Sequence, residues 1–290
     1  MKTVVTISEL RAARAQLPEP VGLVPTMGFL HEGHLSLVQQ ARQECASVVA
    51  TIFVNPTQFG PNEDLESYPR DIPRDLSFLE KVGTDLVWLP TPEVMYPPEF
   101  QTWVSVEQVT QPLEGGRRPG HFRGVTTIVA KLFNGVLPQR AYFGQKDAQQ
   151  AVVIQQMARD LNFPIEITIC PIAREAGGLA MSSRNSYLDS AQRQAATVLN
   201  RALSAAKSAY ESGERGGERL RQVMEAVIRT EPLARLQYVS VAHPLTLEEL
   251  EVVGEDALLS MAVYVGKTRL IDNFLLRDGV WQTGVRMEHQ

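Results

Sequence analysis

Through the first two thirds of the chain, short apolar runs rich in β-branched residues alternate with stretches of helical periodicity. Val21–Val24 reads as a buried strand, and a helical stretch follows with Leu35, Val38, Ala41 and Cys45 on one stripe. Val48–Val54 reads as the next strand, Leu76–Val82 as a helix and Asp85–Leu89 as extended. Val125, Ile128, Val129, Leu132, Phe133 and Val136 recur at the spacing of one helical face. Arg140–Phe143 is a short strand, Ile154, Met157, Ala158 and Leu161 mark another helix, and Ile165–Ile169 is a strand again. Strands this short and this uniformly apolar, separated by helices, predict a Rossmann-like α/β fold: a parallel sheet with helices on both faces. Ligands of such sheets sit beyond the carboxyl ends of the strands.

The pattern changes near residue 186. Asp189, with Gln192 three positions on, caps a helix running through Ala195, Val198, Leu199, Ala202, Leu203 and Ala206. After the glycine-rich break at Gly213–Gly217 comes a helix with Leu220, Val223, Met224, Val227 and Ile228. Three extended runs follow, Leu236–Val241, Leu258–Val265 and Arg269–Leu276. The expected organisation is a Rossmann-like domain over 1–185 and a smaller C-terminal α+β domain over 186–290 that closes over the active-site cleft.

Composition narrows the class. A chain of 290 residues with 44% hydrophobic content can bury a core without staples. Its two cysteines, Cys45 and Cys170, read as small buried apolar residues, with a disulfide between them as the alternative. No apolar run has signal-peptide character, and none approaches the ~18 residues that cross a bilayer. A soluble cytoplasmic protein without a membrane partner is expected. The net charge of −5 comes with no basic arm, which disfavours nucleic acid as the main partner.

The common phosphate loops are missing. Gly266-Lys267-Thr268 resembles the end of a P-loop, but Met261 stands where its first glycine should, and the segment reads as a hairpin. Directly after the first buried strand comes Pro25-Thr26-Met27-Gly28-Phe29-Leu30-His31-Glu32-Gly33-His34. Two histidines at a helix start, with glycines and exposed N–H groups, suit a triphosphate. Ordinary helix-start histidines are one alternative reading. A zinc pair is another, although no third ligand stands in an obvious motif. Gly144-Gln145-Lys146-Asp147 puts a lysine at a helix start, where it is either solvated or meets an anion. Met181-Ser182-Ser183-Arg184-Asn185 offers two hydroxyls and a guanidinium, either as an oxyanion grip or as a capped turn. Gln58, in Val54-Asn55-Pro56-Thr57-Gln58-Phe59, and Gln150 offer amides suited to a neutral hydroxy acid, or are solvated surface residues. The stretch from Leu113 to Val125, with four glycines and three arginines, reads as a mobile loop or as a lid that excludes water.

The first of these elements is the H-x-G-H signature of the nucleotidyltransferase superfamily, to which class I aminoacyl-tRNA synthetases also belong. P-T-M-G-x-L-H-x-G-H, F-V-N-P-x-Q-F, G-G-x-R-P-G-H-F-R-G-V, F-G-x-K-D-x-Q-Q and M-S-S-R-N occur in this order over about residues 25–185. Together they resemble the motif set of the pantothenate synthetase family. The resemblance implies ATP-dependent condensation of (R)-pantoate with β-alanine through a pantoyl-adenylate, releasing AMP and pyrophosphate. It assigns ATP binding to Met27, Gly28, Phe29, Leu30, His31, Glu32, Gly33, His34, Gly144, Gln145, Lys146, Asp147, Ala173, Met181, Ser182, Ser183 and Arg184. Catalysis is assigned to His34, His31 and Lys146, with His34 nearest to proton-donor duty. Pantoate falls to Gln58 and Gln150, and Gln58 also reaches β-alanine. ATP is a co-substrate, and Mg2+ arrives with it on ligands the sequence does not name. No resident metal site is implied, and a homodimer is a family expectation. Phe29 departs from a position where a small residue is common. Gly177 departs from one where an acidic residue usually precedes the glycine, which could loosen the turn before Met181. Another H-x-G-H nucleotidyltransferase acting on a different acid or cofactor precursor is the alternative enzyme, and a nucleotide-sensing module without catalysis is the alternative of another class.

Overall fold

The computed structural model describes residues 1–61 and 63–287. The chain forms two compact units, Met1–Gly144 with Gln150–Cys170, and Gln145–Gln149 with Pro171–Gln290. The division therefore falls at Cys170/Pro171, earlier than the 185/186 boundary expected, and a five-residue segment after residue 144 belongs with the C-terminal part.

The first unit runs β1 (Lys2–Val4), α1 (Ile7–Arg14), β2 (Val21–Thr26), α2 (Glu32–Glu44), β3 (Ser47–Ile52), α3 (Ile72–Lys81), β4 (Leu86–Trp88), α4 (Pro92–Met95), α5 (Glu114–Arg117), α6 (His121–Val136), β5 (Arg140–Gly144), α7 (Ala148–Asp160) and β6 (Glu166–Cys170). Its six strands form one parallel sheet in the order β1-β4-β3-β2-β5-β6. β2 and β3 are buried almost throughout, as their unbroken apolar runs require. Leu35, Val38 and Ala41 of α2 pack on Val24, Val48 and Ala50. From β2 the chain moves out to β3 and β4 on one side and later fills β5 and β6 on the other. The switch point therefore lies at the carboxyl end of β2.

Two elements, β1 and α1, had no clear apolar signal. β1 has three residues, and α1 buries only Leu10 and Ala13. Their legible mark was the capping box of Thr6 and Glu9. Cys45 ends α2, Cys170 ends β6, and both are buried free thiols. Burial pushes the Cys170 thiol up to about 11.

The second unit contains β7 (Ala173–Arg174), α8 (Ser190–Ala196), α9 (Val198–Glu211), α10 (Gly217–Ile228), β8 (Ala234–Ala242), β9 (Ala257–Val265), β10 (Thr268–Arg277), β11 (Val280–Gln282) and β12 (Val285–Arg286). β11-β10-β9-β8 form an antiparallel sheet, and β7 pairs with β12. Leu199, Leu203, Leu220 and Met224 of α9 and α10 share a core with Leu259, Met261 and Val263 of β9. The single helix expected over 195–206 is broken at Thr197 into α8 and α9. Gly266 and Lys267 are the two-residue turn between β9 and β10, so the P-loop look-alike is a hairpin. No helix among the described residues is long and apolar enough to cross a membrane.

Candidate active site

β2 ends at Thr26 and α2 starts at Glu32, so five residues must turn the chain at the switch point. Gly28 and Phe29 do this with two successive positive φ angles, 82° and 49°. A Cβ on Gly28 would sit 2.9 Å from Ile52 Cγ2 and 3.1 Å from Asp75 Oδ2, so space as well as conformation demands glycine. Phe29 is a strained non-glycine residue whose ring lies under the Arg74 guanidinium at 4.8 Å. The turn is fixed by Asp75, a fully buried residue of α3. Its Oδ2 accepts from Phe29 N–H and its Oδ1 from Leu30 N–H, both at 2.7 Å. Burial raises the Asp75 carboxyl above its ordinary range, and the two amide donors oppose that shift by favouring the anion.

The two histidines are the caps of their own helix. His31 Nδ1 accepts from Gly33 N–H at 3.1 Å, and His31 N–H points at His34 Nδ1 at a longer 3.4 Å. The ring centroids are 4.0 Å apart. A neutral imidazole that accepts at Nδ1 carries its proton at Nε2. With Nδ1 of each ring turned to the backbone of the turn, Nε2 is the atom through which either imidazole would donate to an anion. Among the described residues no group of three or more His, Cys, Asp and Glu could hold a metal ion.

Outward-facing backbone N–H groups were expected in this loop. The structure spends most of them inside the protein. Gly28 N–H donates to Thr26 Oγ1 and His34 N–H to His31 O, while those of residues 29 and 30 go to Asp75, that of residue 31 to His34 and that of residue 33 to His31. Leu30 also has a fully buried side chain, so it belongs to the frame of the loop. The imidazole edges, and not these amides, are the candidate donors for an anion at this turn.

Gln58 follows β3, the neighbour of β2, and closes the 3-10 turn Pro56–Gln58. Buried Asn55 organises that turn. Its Oδ1 accepts from Thr57 N–H, Thr57 Oγ1–H and Tyr96 O–H, and its Nδ2 donates to Gly124 O at 3.2 Å. A Cβ on Gly124 would lie 2.4 Å from Thr57 O, so α6 crosses the turn at glycine distance. His121 Nδ1 is 2.8 Å from Gln58 O and its Nε2 is 3.0 Å from Arg118 Nη1. A carbonyl only accepts and a guanidinium only donates, so the ring is neutral with its proton on Nδ1. Burial and then Arg118 push its pKa down to about 4. Arg118 is itself held by both carboxylate oxygens of Glu63, each at 2.7 Å. The 113–124 stretch is thus helical at α5, anchored at Arg118 and His121, and continuous with α6, where a mobile loop or lid was expected. Gly144 ends β5, paired with Cys170, and half-buried Gln150 lies in the first turn of α7.

The remaining expected residues lie in the second unit. Lys146 is half-buried, with its Nζ 3.5 Å from Asp147 Oδ1. Gln145 is buried, and its side-chain amide donates to Asn273 Oδ1 and Gln282 O, so it supports the segment. Ala173, in β7, has a buried side chain, and its carbonyl accepts from Met181 N–H. Ser182 caps the 3-10 turn Ser183–Tyr187 by accepting from Arg184 N–H. Asn185 ties that turn back to Glu175 and to Ala180 O. The turn at Glu175–Gly178 is formed despite Gly177, because the left-handed residue is Gly178, whose N–H donates to Glu175 O at 2.8 Å. A Cβ on Gly177 would meet Thr197 Cγ2 at an ordinary 3.4 Å.

Asp75, Asn55, His121, Arg174, Asp272 and Asn273 were not singled out from the sequence. Asp75 and Leu79 are the buried residues of α3, four apart on one face, so a carboxylate on an apolar stripe was the available signal. Asp272-Asn273 between the apolar pairs Leu270-Ile271 and Phe274-Leu275 was another.

Fold and loop define the class: a Rossmann-like α/β protein that presents a histidine-capped turn at the switch point of its sheet. The chain belongs to the pantoate–β-alanine ligase family, whose model, described as Pantoate-beta-alanine ligase, matches residues 2–275. It is 61% identical over 277 residues to a pantothenate synthetase of Herpetosiphon aurantiacus, covering 95% of this chain and 100% of that one. The crystal structure of pantothenate synthetase from Thermus thermophilus matches with a TM-score of 0.90 at 49% identity, over 94% of this chain and 98% of that one. Pantoate-beta-alanine ligase from Francisella tularensis, solved with beta-gamma ATP and beta-alanine, matches with a TM-score of 0.77 at 34% identity, over 95% and 97% of the two chains.

Proposed function

We propose that the chain condenses (R)-pantoate with β-alanine, using ATP and releasing AMP and pyrophosphate. The observation that carries the reading is the pair of imidazoles that cap α2 through Nδ1 just beyond the switch point of the sheet. Family membership and the ATP-bound Francisella relative support it.

In the first step the pantoate carboxylate attacks the α-phosphorus of ATP. A carboxylate is already ionised at neutral pH, so no general base is needed. His31 and His34 donate from Nε2 to the phosphate oxygens, where charge builds up in the transition state. Lys146, Ser182, Ser183 and Arg184 hold the polyphosphate, and Met27, Gly28 and Phe29 shape the wall it meets. Gln58 and Gln150 orient pantoate through their amides. The amine of β-alanine, as free base, then attacks the acyl carbon and expels AMP. Magnesium would enter with ATP and would offset charge on the phosphates, with water completing its coordination. No residue of this chain is assigned to it.

A homodimer and a cytoplasmic location are part of the same proposal, on family resemblance, and sedimentation of the purified chain tests the first. The deciding experiment is a coupled assay for AMP with pantoate, β-alanine, ATP and magnesium, each omitted in turn. AMP release that requires all of them supports the reading. Release that is indifferent to pantoate removes it.

A further inference from the structure

Two neighbours on β10 reach the Gln145–Lys146 segment and, through Arg174, the turn that leads to Met181. Asn273 is buried, and its side chain is spent on the Gln145–Lys146 segment. Its Nδ2 donates to Gln145 O at 3.0 Å and to Lys146 O at 2.9 Å, while its Oδ1 accepts from Gln145 Nε2 at 3.2 Å. Asp272 is buried beside it and takes the Arg174 guanidinium in a bidentate grip, Nη1 at 2.7 Å and Nη2 at 2.8 Å. Arg174 in turn donates to Gly178 O at 2.9 Å, in the turn that leads to Met181, and to Thr283 O at 2.6 Å. Asp272 Oδ1 also accepts from Asn273 N–H, so the two anchors are bonded to each other.

We propose that Asp272 and Asn273 are positioning residues of the ligation. Adjacent on one strand, and pointing to opposite sides of it, they fix Lys146 and the Met181–Arg184 segment in mutual register. The proposal rests on the reading that those two segments bind ATP. β10 suits the task because it is a central strand, paired with β9 from Thr268 to Leu276 and with β11 at its end. Neither residue bears on the nucleotide directly. They set where two mobile kinds of side chain, a lysine and an arginine, start from.

A purely structural role for a buried ion pair and amide is the competing account. It would lower the unfolding midpoint and leave substrate constants alone. Steady-state AMP release with ATP varied at saturating pantoate and β-alanine separates the two. Asn273→Ser removes all three side-chain bonds. Asn273→Asp keeps the acceptor for Gln145 and loses the donors to the two carbonyls. Asp272→Asn retains the shape but weakens the grip on Arg174. Ile228→Val, in the apolar core of the same unit, is the stability control. KM for ATP is expected to rise about tenfold or more in each of the three variants, the scale of one or two lost hydrogen bonds. KM for pantoate should stay within about twofold, and Ile228→Val should move neither. Lys146→Ala, measured alongside, tests the underlying reading. If it weakens ATP use while the Asn273 and Asp272 variants behave like the control, the positioning role is wrong and the reading stands. If Lys146→Ala has no effect, the reading fails and takes this inference with it. Should Asn273→Ser not fold, the near-isosteric Asn273→Asp decides between the two accounts.

Discussion

His31 and His34 do two things at once. Through Nδ1 they close the first turn of α2, and in the proposed reaction their Nε2 atoms meet the phosphates. Alanine at either site removes both roles, so loss of activity alone cannot say which mattered. Asparagine is the sharper probe at His31. Its Oδ1 can take the place of Nδ1 toward Gly33 N–H, and it is a favoured N-cap residue. His31→Asn is expected to keep the unfolding midpoint near that of the parent and to lower turnover by about a hundredfold, the usual cost of one oxyanion donor. His31→Ala should lower both, with about 1 kcal/mol of stability lost from the missing cap. Parent-like turnover in His31→Asn would remove Nε2 from the chemistry. At this scale the sequence was a good guide to residue type and a poor guide to use. The histidines stood out, but the amides beside them, which a helix start would aim at ligand, are satisfied by Asp75 some 45 residues away. A partner that distant leaves no local pattern.

Among the elements, those with unbroken β-branched runs or a wide helical stripe were legible: β2, β3, α2, α6 and the three long strands of the second unit. Their burial is dictated by local composition. β1, β7 and β12 have two or three residues each and exist through pairing, which local periodicity cannot report. The 113–124 stretch looked like a loop because glycine and arginine usually mean solvent. Here Gly115 and Gly124 allow close packing and Arg118 is paired with Glu63. Gly124 faces Thr57 O at a distance no side chain allows. Gly124→Ala is therefore expected to cost about 2 kcal/mol or more, through overpacking against backbone. Thermal unfolding measures it, and a midpoint equal to that of the parent would show that α6 and the 3-10 turn can separate freely.

For the molecule as a whole, the parallel α/β class followed from the alternation of runs and the smaller α+β part from two helices followed by three extended runs, while the point of division did not. The segment 145–149 clusters with the second unit although it continues directly from β5, a consequence of long-range bonds to β10 that no local signal carries. Stability of the whole chain should carry a signature of His121. Its folded pKa of about 4 lies below the ordinary histidine value of 6.5, so the unfolded chain binds the extra proton between these limits. The contribution is fully present above pH 6.5 and is lost as pH falls toward 4. The slope is at most about 1.4 kcal/mol per pH unit. Urea unfolding across that window should show a steeper decline for the parent than for His121→Gln, and parallel curves would exclude a buried neutral ring. The same ring has a bearing on redesign. The backbone of Gln58 is tied by the Asn55 turn, by His121 and by Arg118, leaving its side chain as the adjustable part. On the proposed role of Gln58, a mutant library meant to change which acid is accepted is best varied at position 58 itself, with residues 55, 118, 121 and 124 kept constant as the mould.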